Sequence, residues 1–261
     1  MRFGLSTAAF FGRYEVEEAA QYISKLPVDC AEVFLQTFSE YNGSFAKTVG
    51  QNLGGIPCTS IHPLGTCFEN QMFSSSMRQR NDAIGIFRSV LEAGQQLGAS
   101  VYVHHGRHSP QIVMLPWNLQ RNVDVIGMMC EEAKQHNMVI GWENVYWCQL
   151  TEPSRVLEAK KALPQVRFTL DIKQAMRAGC NPIDFVYAMG DQLCNVHVCD
   201  WKEDGTLCLP GEGSFNFGAL IAALREIGYD GPVVMEPYLA LIQSEEALLR
   251  SIAFMRNIIK E

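Results

Sequence analysis

With 261 residues, 48% of them hydrophobic, the chain can bury one full core and is close to the ~250 residues typical of a closed barrel of eight β/α units. Acidic residues outnumber basic ones by 28 to 21, and the net charge of −7 opposes a phosphate backbone, so nucleic acid is not an expected partner. The nine cysteines are scattered without a C-x-x-C pair and read as reduced core thiols of a cytoplasmic protein. Met1-Arg2-Phe3-Gly4 does not open an export signal, and no stretch approaches about 18 uninterrupted apolar residues, so neither export nor a membrane span is expected.

Taken in order, strand-like runs are expected at residues 2–6, 30–35, 59–62, 100–104, 139–143, 166–171, 195–198 and 233–236. Amphipathic patterns alternate with them at 15–24, 45–53, 78–97, 118–135, 153–162, 182–189, 217–227 and 245–259. In the third helix, Ile84, Phe87, Val90, Leu91 and Gly94 share one face, with Arg80, Arg88, Glu92 and Gln95 off it. Gly98, Gly228 and Pro164 are stop signals between a helix and the next strand. Eight alternating units with no linker between them predict an α/β protein, a single (β/α)8 barrel over 1–261 with right-handed crossovers. The longest irregular stretches, 65–76 and 199–214, follow the third and seventh strands and belong on the C-terminal face. Phe68, Met72, Phe73, Trp201, Lys202 and Glu212 there suit either a partly apolar lid or a plain barrel cap. On the last helix, Leu249, Phe254 and Ile258 suit either a homo-oligomer interface or packing on the barrel.

Four strands end in the same way. Val139-Ile140-Gly141-Trp142-Glu143, Val166-Arg167-Phe168-Thr169-Leu170-Asp171, Leu193-Cys194-Asn195-Val196-His197 and Pro232-Val233-Val234-Met235-Glu236 are apolar runs that finish on an acid or an imidazole. In a parallel barrel such ends face the active-site mouth. Burying three carboxylates together drives their pKa values up unless a cation is present, so Glu143, Asp171, His197 and Glu236 predict one divalent ion. Oxygen ligands with one imidazole suit Mn²⁺, Mg²⁺, Co²⁺ or Zn²⁺ and need no thiolate. The alternative is a salt-bridged rim formed with Lys173, Lys202 or Arg107.

Glu143-Asn144, Leu170-Asp171, Asn195-Val196-His197-Val198-Cys199-Asp200, Leu209-Pro210-Gly211-Glu212-Gly213 and the stretch from Leu224 through Glu236-Pro237 resemble the xylose isomerase-like barrel superfamily. That superfamily holds sugar and sugar-phosphate isomerases and epimerases together with endonuclease IV. The resemblance covers the whole chain. It implies that Glu143, Asp171, His197 and Glu236 bind one divalent metal and that Glu143 and Glu236 also move the substrate proton. The implied reaction is isomerisation or epimerisation of a small carbohydrate or related keto compound through an enediolate, with dehydration as a variant. The alternatives are an endonuclease IV-like phosphodiesterase, against which the net charge of −7 counts, and a non-catalytic, sugar-binding metal barrel.

The chain also departs from the family. Many relatives read Asp-x-x-His after the sixth strand, whereas Asp171-Ile172-Lys173-Gln174 stands here. Epimerases of the family carry an Arg shortly after the strand-seven His, where this chain has Asp200-Trp201-Lys202-Glu203, and the Asp-x-His pair that endonuclease IV needs after that strand is missing. Candidate substrate contacts are His62, His104, Gln174, Lys202 and Trp142; Trp142 and Trp147 could instead pack between strand and helix. His105, Arg107 and His108 lie on the loop after strand four and could touch substrate or remain solvated. Glu32 could join the site or an ion pair, and Phe10 and Phe11 resemble an apolar wall over the mouth.

Overall fold

The computed structural model describes residues 1–108 and 116–260. Short apolar runs rich in Val, Ile, Leu and Phe form the strands β1 (Arg2–Ser6), β2 (Cys30–Leu35), β3 (Cys58–Pro63), β4 (Val101–His104), β5 (Val139–Glu143), β6 (Arg167–Asp171) and β7 (Leu193–Val198). Strands β8 (Asp200–Trp201) and β9 (Leu207–Cys208) form a small antiparallel hairpin, and β10 (Pro232–Met235) is the eighth strand of the barrel. The barrel closes in the order β1-β10-β7-β6-β5-β4-β3-β2, every pair parallel. The helices are α1 (Val16–Ile23), α2 (Gly43–Asn52), α3 (Met77–Leu97), α4 (Leu119–Gln135), α5 (Pro153–Ala162), α6 (Ile172–Arg177), α7 (Pro182–Met189), α8 (Phe217–Glu226) and α9 (Glu245–Lys260). Gly98 ends α3 at φ +75°, a left-handed conformation that a side chain would strain. The eight-unit barrel read from the sequence is therefore the fold.

The side-chain alternation of each strand sorts residues between two cores. On β4, Tyr102 packs edge-on against Phe87 of α3 with ring centroids 4.9 Å apart, so Tyr102 and His104 face the helices. On β5, Trp142 stacks against Trp117 at 6.0 Å. Facing inward, Ser60 Oγ and Asn195 Nδ2 donate to Glu32 Oε2 at 2.7 and 3.0 Å, a polar layer spanning the barrel. Two residues farther along β3 and β7 stand His62 and His197, at the mouth.

Several loops differ from the sequence reading. Phe68, Met72 and Phe73 are buried in 3₁₀ turns against the core, so the 65–76 stretch is packed wall rather than a lid. The 199–214 stretch contains the β8–β9 hairpin, and α6 follows β6 directly where the sequence reading assigned no element. On α9, Phe254 packs edge-on Phe217 at 5.8 Å and Ile258 packs partly buried on the core, leaving Leu249 exposed. The cysteines are unpaired, and no helix among the described residues is long and apolar enough to cross a membrane.

Candidate metal centre

The strand register brings the four ligand-type residues to one place. Asp171 pairs with His197 across β6–β7, and Val234 pairs with His197 across β10–β7, which sets Glu236 two residues above that pairing. Glu143, Asp171, His197 and Glu236 each offer a ligand atom, and these atoms lie within 4.8 Å of one another. His197 Nδ1 is 3.4 Å from Glu143 Oε1 and 3.5 Å from Glu236 Oε2. The other ring nitrogen, Nε2, lies 2.9 Å from Glu32 Oε2, so Glu32 fixes the ring and leaves Nδ1 for the centre.

The Asp171 end is held equally firmly. Asn144 Nδ2 donates to the Asp171 carbonyl at 2.9 Å, and the Asp171 N–H donates to Asn144 Oδ1 at 2.8 Å, joining the ends of β5 and β6. Asp171 Oδ1 caps α6 by accepting from the Gln174 N–H at 2.9 Å. Its second oxygen, Oδ2, and Glu143 Oε2 are buried and accept no aligned hydrogen bond among the described residues; each has only an ion-pair contact, to Lys173 Nζ at 3.4 Å and to His105 Nε2 at 3.1 Å. Two buried carboxylate oxygens beside an imidazole nitrogen that faces only carboxylates are a donor set that fits a divalent cation. Two further groupings satisfy the same distance limit: Glu32, His62, His197 and Glu236; and His62, His105 and Glu143.

The centre is strongly polarised. Burial pushes the Glu143 carboxyl up, but His105 and His197 more than offset this and hold it well below the usual carboxylate range. Glu236 is also lowered, against its own burial, by His197, Lys173 and His62. Asp171 behaves oppositely: burial and the charges of Glu143 and Glu236 raise it to about 6, although Lys173 opposes them. His62 is pushed to about 10 because Glu236 and Glu32 overcome its desolvation. His197 is raised in the same way by Glu32 and Glu236, so a cation at Nδ1 must displace a proton.

A cavity of about 260 Å³ opens over this cluster. Glu143, Glu236, His62, His105, Lys173 and Gln174 supply its polar surface, and Phe11, Phe34, Trp147 and Tyr238 its aromatic walls. A larger surface groove of about 620 Å³, beside Trp201 and Phe215, carries no carboxylate, imidazole or ammonium among the described residues that line it, so the acid–base groups belong to the smaller cavity.

Of the expected substrate contacts, His62 and Gln174 line the cavity. Three others lie elsewhere. His104 is fully buried on the outer face of β4, its Nδ1 3.0 Å from Glu69 Oε2 and its ring stacked on Phe73, because strand alternation turns it outward. Trp142 is turned outward on β5 for the same reason. Lys202 is exposed at the β8–β9 turn, where its N–H bonds the Thr206 carbonyl. His105 takes the place expected of His104: its Nε2 is 2.8 Å from His62 Nε2 and 3.1 Å from Glu143 Oε2. Lys173, read from sequence only as a possible rim partner, stands inside the centre, 3.4 Å from both Asp171 Oδ2 and Glu236 Oε2. His105, which the sequence offers as a loop residue able to touch substrate, thus lines the cavity, whereas nothing local marks Lys173.

The chain belongs to the xylose isomerase-like TIM barrel family, whose model matches residues 20–258. It is 29% identical over 179 residues to "Uncharacterized protein MJ1311" of Methanocaldococcus jannaschii, a match covering 62% of this chain and 59% of that protein. Among solved structures, a D-psicose 3-epimerase crystallised in the presence of D-fructose superposes with a TM-score of 0.82 at 17% identity, over 100% of both chains. A D-tagatose 3-epimerase-like protein gives 0.76 at 22% identity, over 98% of this chain and 99% of that one. The 3-keto-D-glucoside 4-epimerase YcjR from E. coli gives 0.74 at 20%, with the same coverage. At these identities the structural likeness establishes the shared barrel.

Proposed function

We propose that this protein is a divalent-metal-dependent isomerase or epimerase of a small carbohydrate or related keto compound, acting by proton transfer through an enediolate. The observation that carries this reading is the convergence of Glu143, Asp171, His197 and Glu236 beside a cavity of about 260 Å³ that Glu143 and Glu236 line. Solved structures of the same fold named as ketose and keto-glycoside epimerases support it.

Asp171 and His197, with Glu143 and Glu236, would hold the ion, which when bound supplies polarisation of the substrate carbonyl worth several kcal/mol. The proton movement falls to the two glutamates. Glu143 ends β5 and Glu236 follows β10, three strand positions apart around the barrel, and both line the cavity. One glutamate, as carboxylate, removes the proton beside the carbonyl and keeps it until it exchanges with solvent, and the other, protonated beforehand from solvent, delivers its own proton to the carbon, each contributing about 10²–10⁴-fold as base or acid. His62, 3.4 Å from Glu236 Oε1, and His105, 3.1 Å from Glu143 Oε2, orient the two carboxylates from the opposite side. The aromatic walls exclude water around the reacting carbon, and Gln174 offers an amide to a hydroxyl.

The test is solvent deuterium uptake at carbon-bound positions of a panel of ketoses, including D-fructose and D-tagatose, followed by NMR with added Mn²⁺. Uptake should occur with the wild type. Glu143→Gln and Glu236→Gln should each slow it by about 10²–10⁴-fold while the circular dichroism spectrum is unchanged. Full uptake by either variant would remove that glutamate from the proton path.

A second reading draws on the His62, His105 and Glu143 grouping, which offers another cation position beside the first. Paired ions suit phosphate-ester hydrolysis. Against it, among the described residues Lys173 is the one lysine or arginine lining the cavity, and two carboxylates already engage it. Hydrolysis of bis(p-nitrophenyl) phosphate in Mn²⁺ or Zn²⁺ would favour this reading.

A further inference from the structure

Lys173 has no place in the chemistry described above. It is the second residue of α6, and the cap that Asp171 makes on that helix turns it back toward the mouth. Its side chain is buried, and its ammonium lies 3.4 Å from Asp171 Oδ2, 3.4 Å from Glu236 Oε2 and 3.5 Å from the Glu236 carbonyl. On the outer side, the Tyr238 ring covers it at 4.9 Å. Arg177 holds that ring in turn, with its guanidinium 5.7 Å from the centroid and Nη1 donating to Tyr238 Oη at 3.1 Å. The ammonium is thus boxed between two ligand-type carboxylates and a clamped aromatic ring. An amine locked in this way as a cation is neither a free nucleophile nor a swinging arm.

Resting on the metal-centre reading above, we propose that Lys173 is a positioning residue, a built-in positive charge that sets how tightly the centre holds a divalent ion. It contacts Asp171 Oδ2, the oxygen that does not cap α6, and Glu236 Oε2, the oxygen nearest His197. Before an ion binds, the ammonium offsets the repulsion between these carboxylates and keeps them assembled. Once an ion binds, the same charge repels it and draws electron density from two of its ligands, which weakens binding and leaves the ion a stronger electrophile. A residue with only a structural role would do the first and not the second.

The experiment uses the full chain stripped of metal, titrated calorimetrically with MnCl₂. Lys173→Met removes the charge while keeping much of the bulk, and should bind Mn²⁺ at least about tenfold more tightly than wild type, although its metal-free form melts at a lower temperature. Lys173→Arg keeps the charge and should stay close to the wild-type affinity. Should Lys173→Met fail to fold, Lys173→Gln is judged by the same criterion. A folded, neutral variant that binds Mn²⁺ no more tightly than wild type overturns this inference alone. Absence of Mn²⁺ binding by the wild type, with Co²⁺, Mg²⁺ and Zn²⁺ also failing, overturns the metal-centre reading and this inference with it.

Discussion

Glu69 is a buried carboxylate outside the cavity, accepting from Tyr102 Oη at 2.7 Å and lying 3.0 Å from His104 Nδ1. Burial pushes its pKa up, but His104, with smaller help from His105 and Tyr102, outweighs burial and holds it below the ordinary value. A carboxyl lowered on folding contributes stability that is fully present above its unfolded pKa of about 4.3 and is lost as pH falls through the lower folded value. Glu69→Gln keeps an acceptor for Tyr102 but leaves His104 without its partner charge. It should cost about 2–4 kcal/mol at neutral pH, and the loss relative to wild type should shrink in acid, as read by thermal melts across pH. Unchanged stability at pH 7 would show that this network is not structural. At this scale the sequence was only partly legible. Glu143 and Asp171 each end an apolar run, and that placement is visible locally. Glu32 sits inside an equally apolar run, and its role depends on His197, 165 positions away, a separation that no local pattern records.

The strand is the element that decides which of two adjacent histidines meets the cavity. His104 and His105 are neighbours in sequence, yet alternation along β4 sends the first to Glu69 and the second to Glu143. His104→Ala should therefore lower the melting temperature and leave solvent-proton exchange on a competent ketose near the wild-type rate. His105→Ala should slow that exchange with little change in melting temperature. The reverse pattern would mean that β4 is shifted by one residue. Strand existence and length were readable because continuous apolar runs need no partner to be recognised. The phase was not read, since it needs one anchor, and Tyr102 against Phe87 supplies that anchor only in three dimensions. Helix α6 escaped notice for a different reason: its six residues are too few to show a 3.6-residue period, and its cap, Asp171, already stood as a ligand candidate.

For the whole molecule, a cation that joins four segments at the barrel mouth should bind only the closed fold and so stabilise it. At an ion concentration about 100 times its dissociation constant the gain is ~2.7 kcal/mol, or roughly 5–10 °C in melting temperature for a chain of this size. Chelator should reverse the shift, and in Glu143→Gln the shift should be much smaller. Equal melting curves with chelator and with each of Mn²⁺, Co²⁺, Mg²⁺ and Zn²⁺ would argue against a shared ion. The sequence by itself determined the number of β/α units, their order and the acid or imidazole that ends four of the strands. Each of these is carried by a contiguous segment whose period and punctuation can be read without its neighbours. Only the tertiary structure decided that His105 rather than His104 faces the cavity, that Glu32 orients His197, and that Lys173 stands between Asp171 and Glu236. Those outcomes depend on strand phase and on barrel closure, which set residues remote in the chain within a few ångströms of one another.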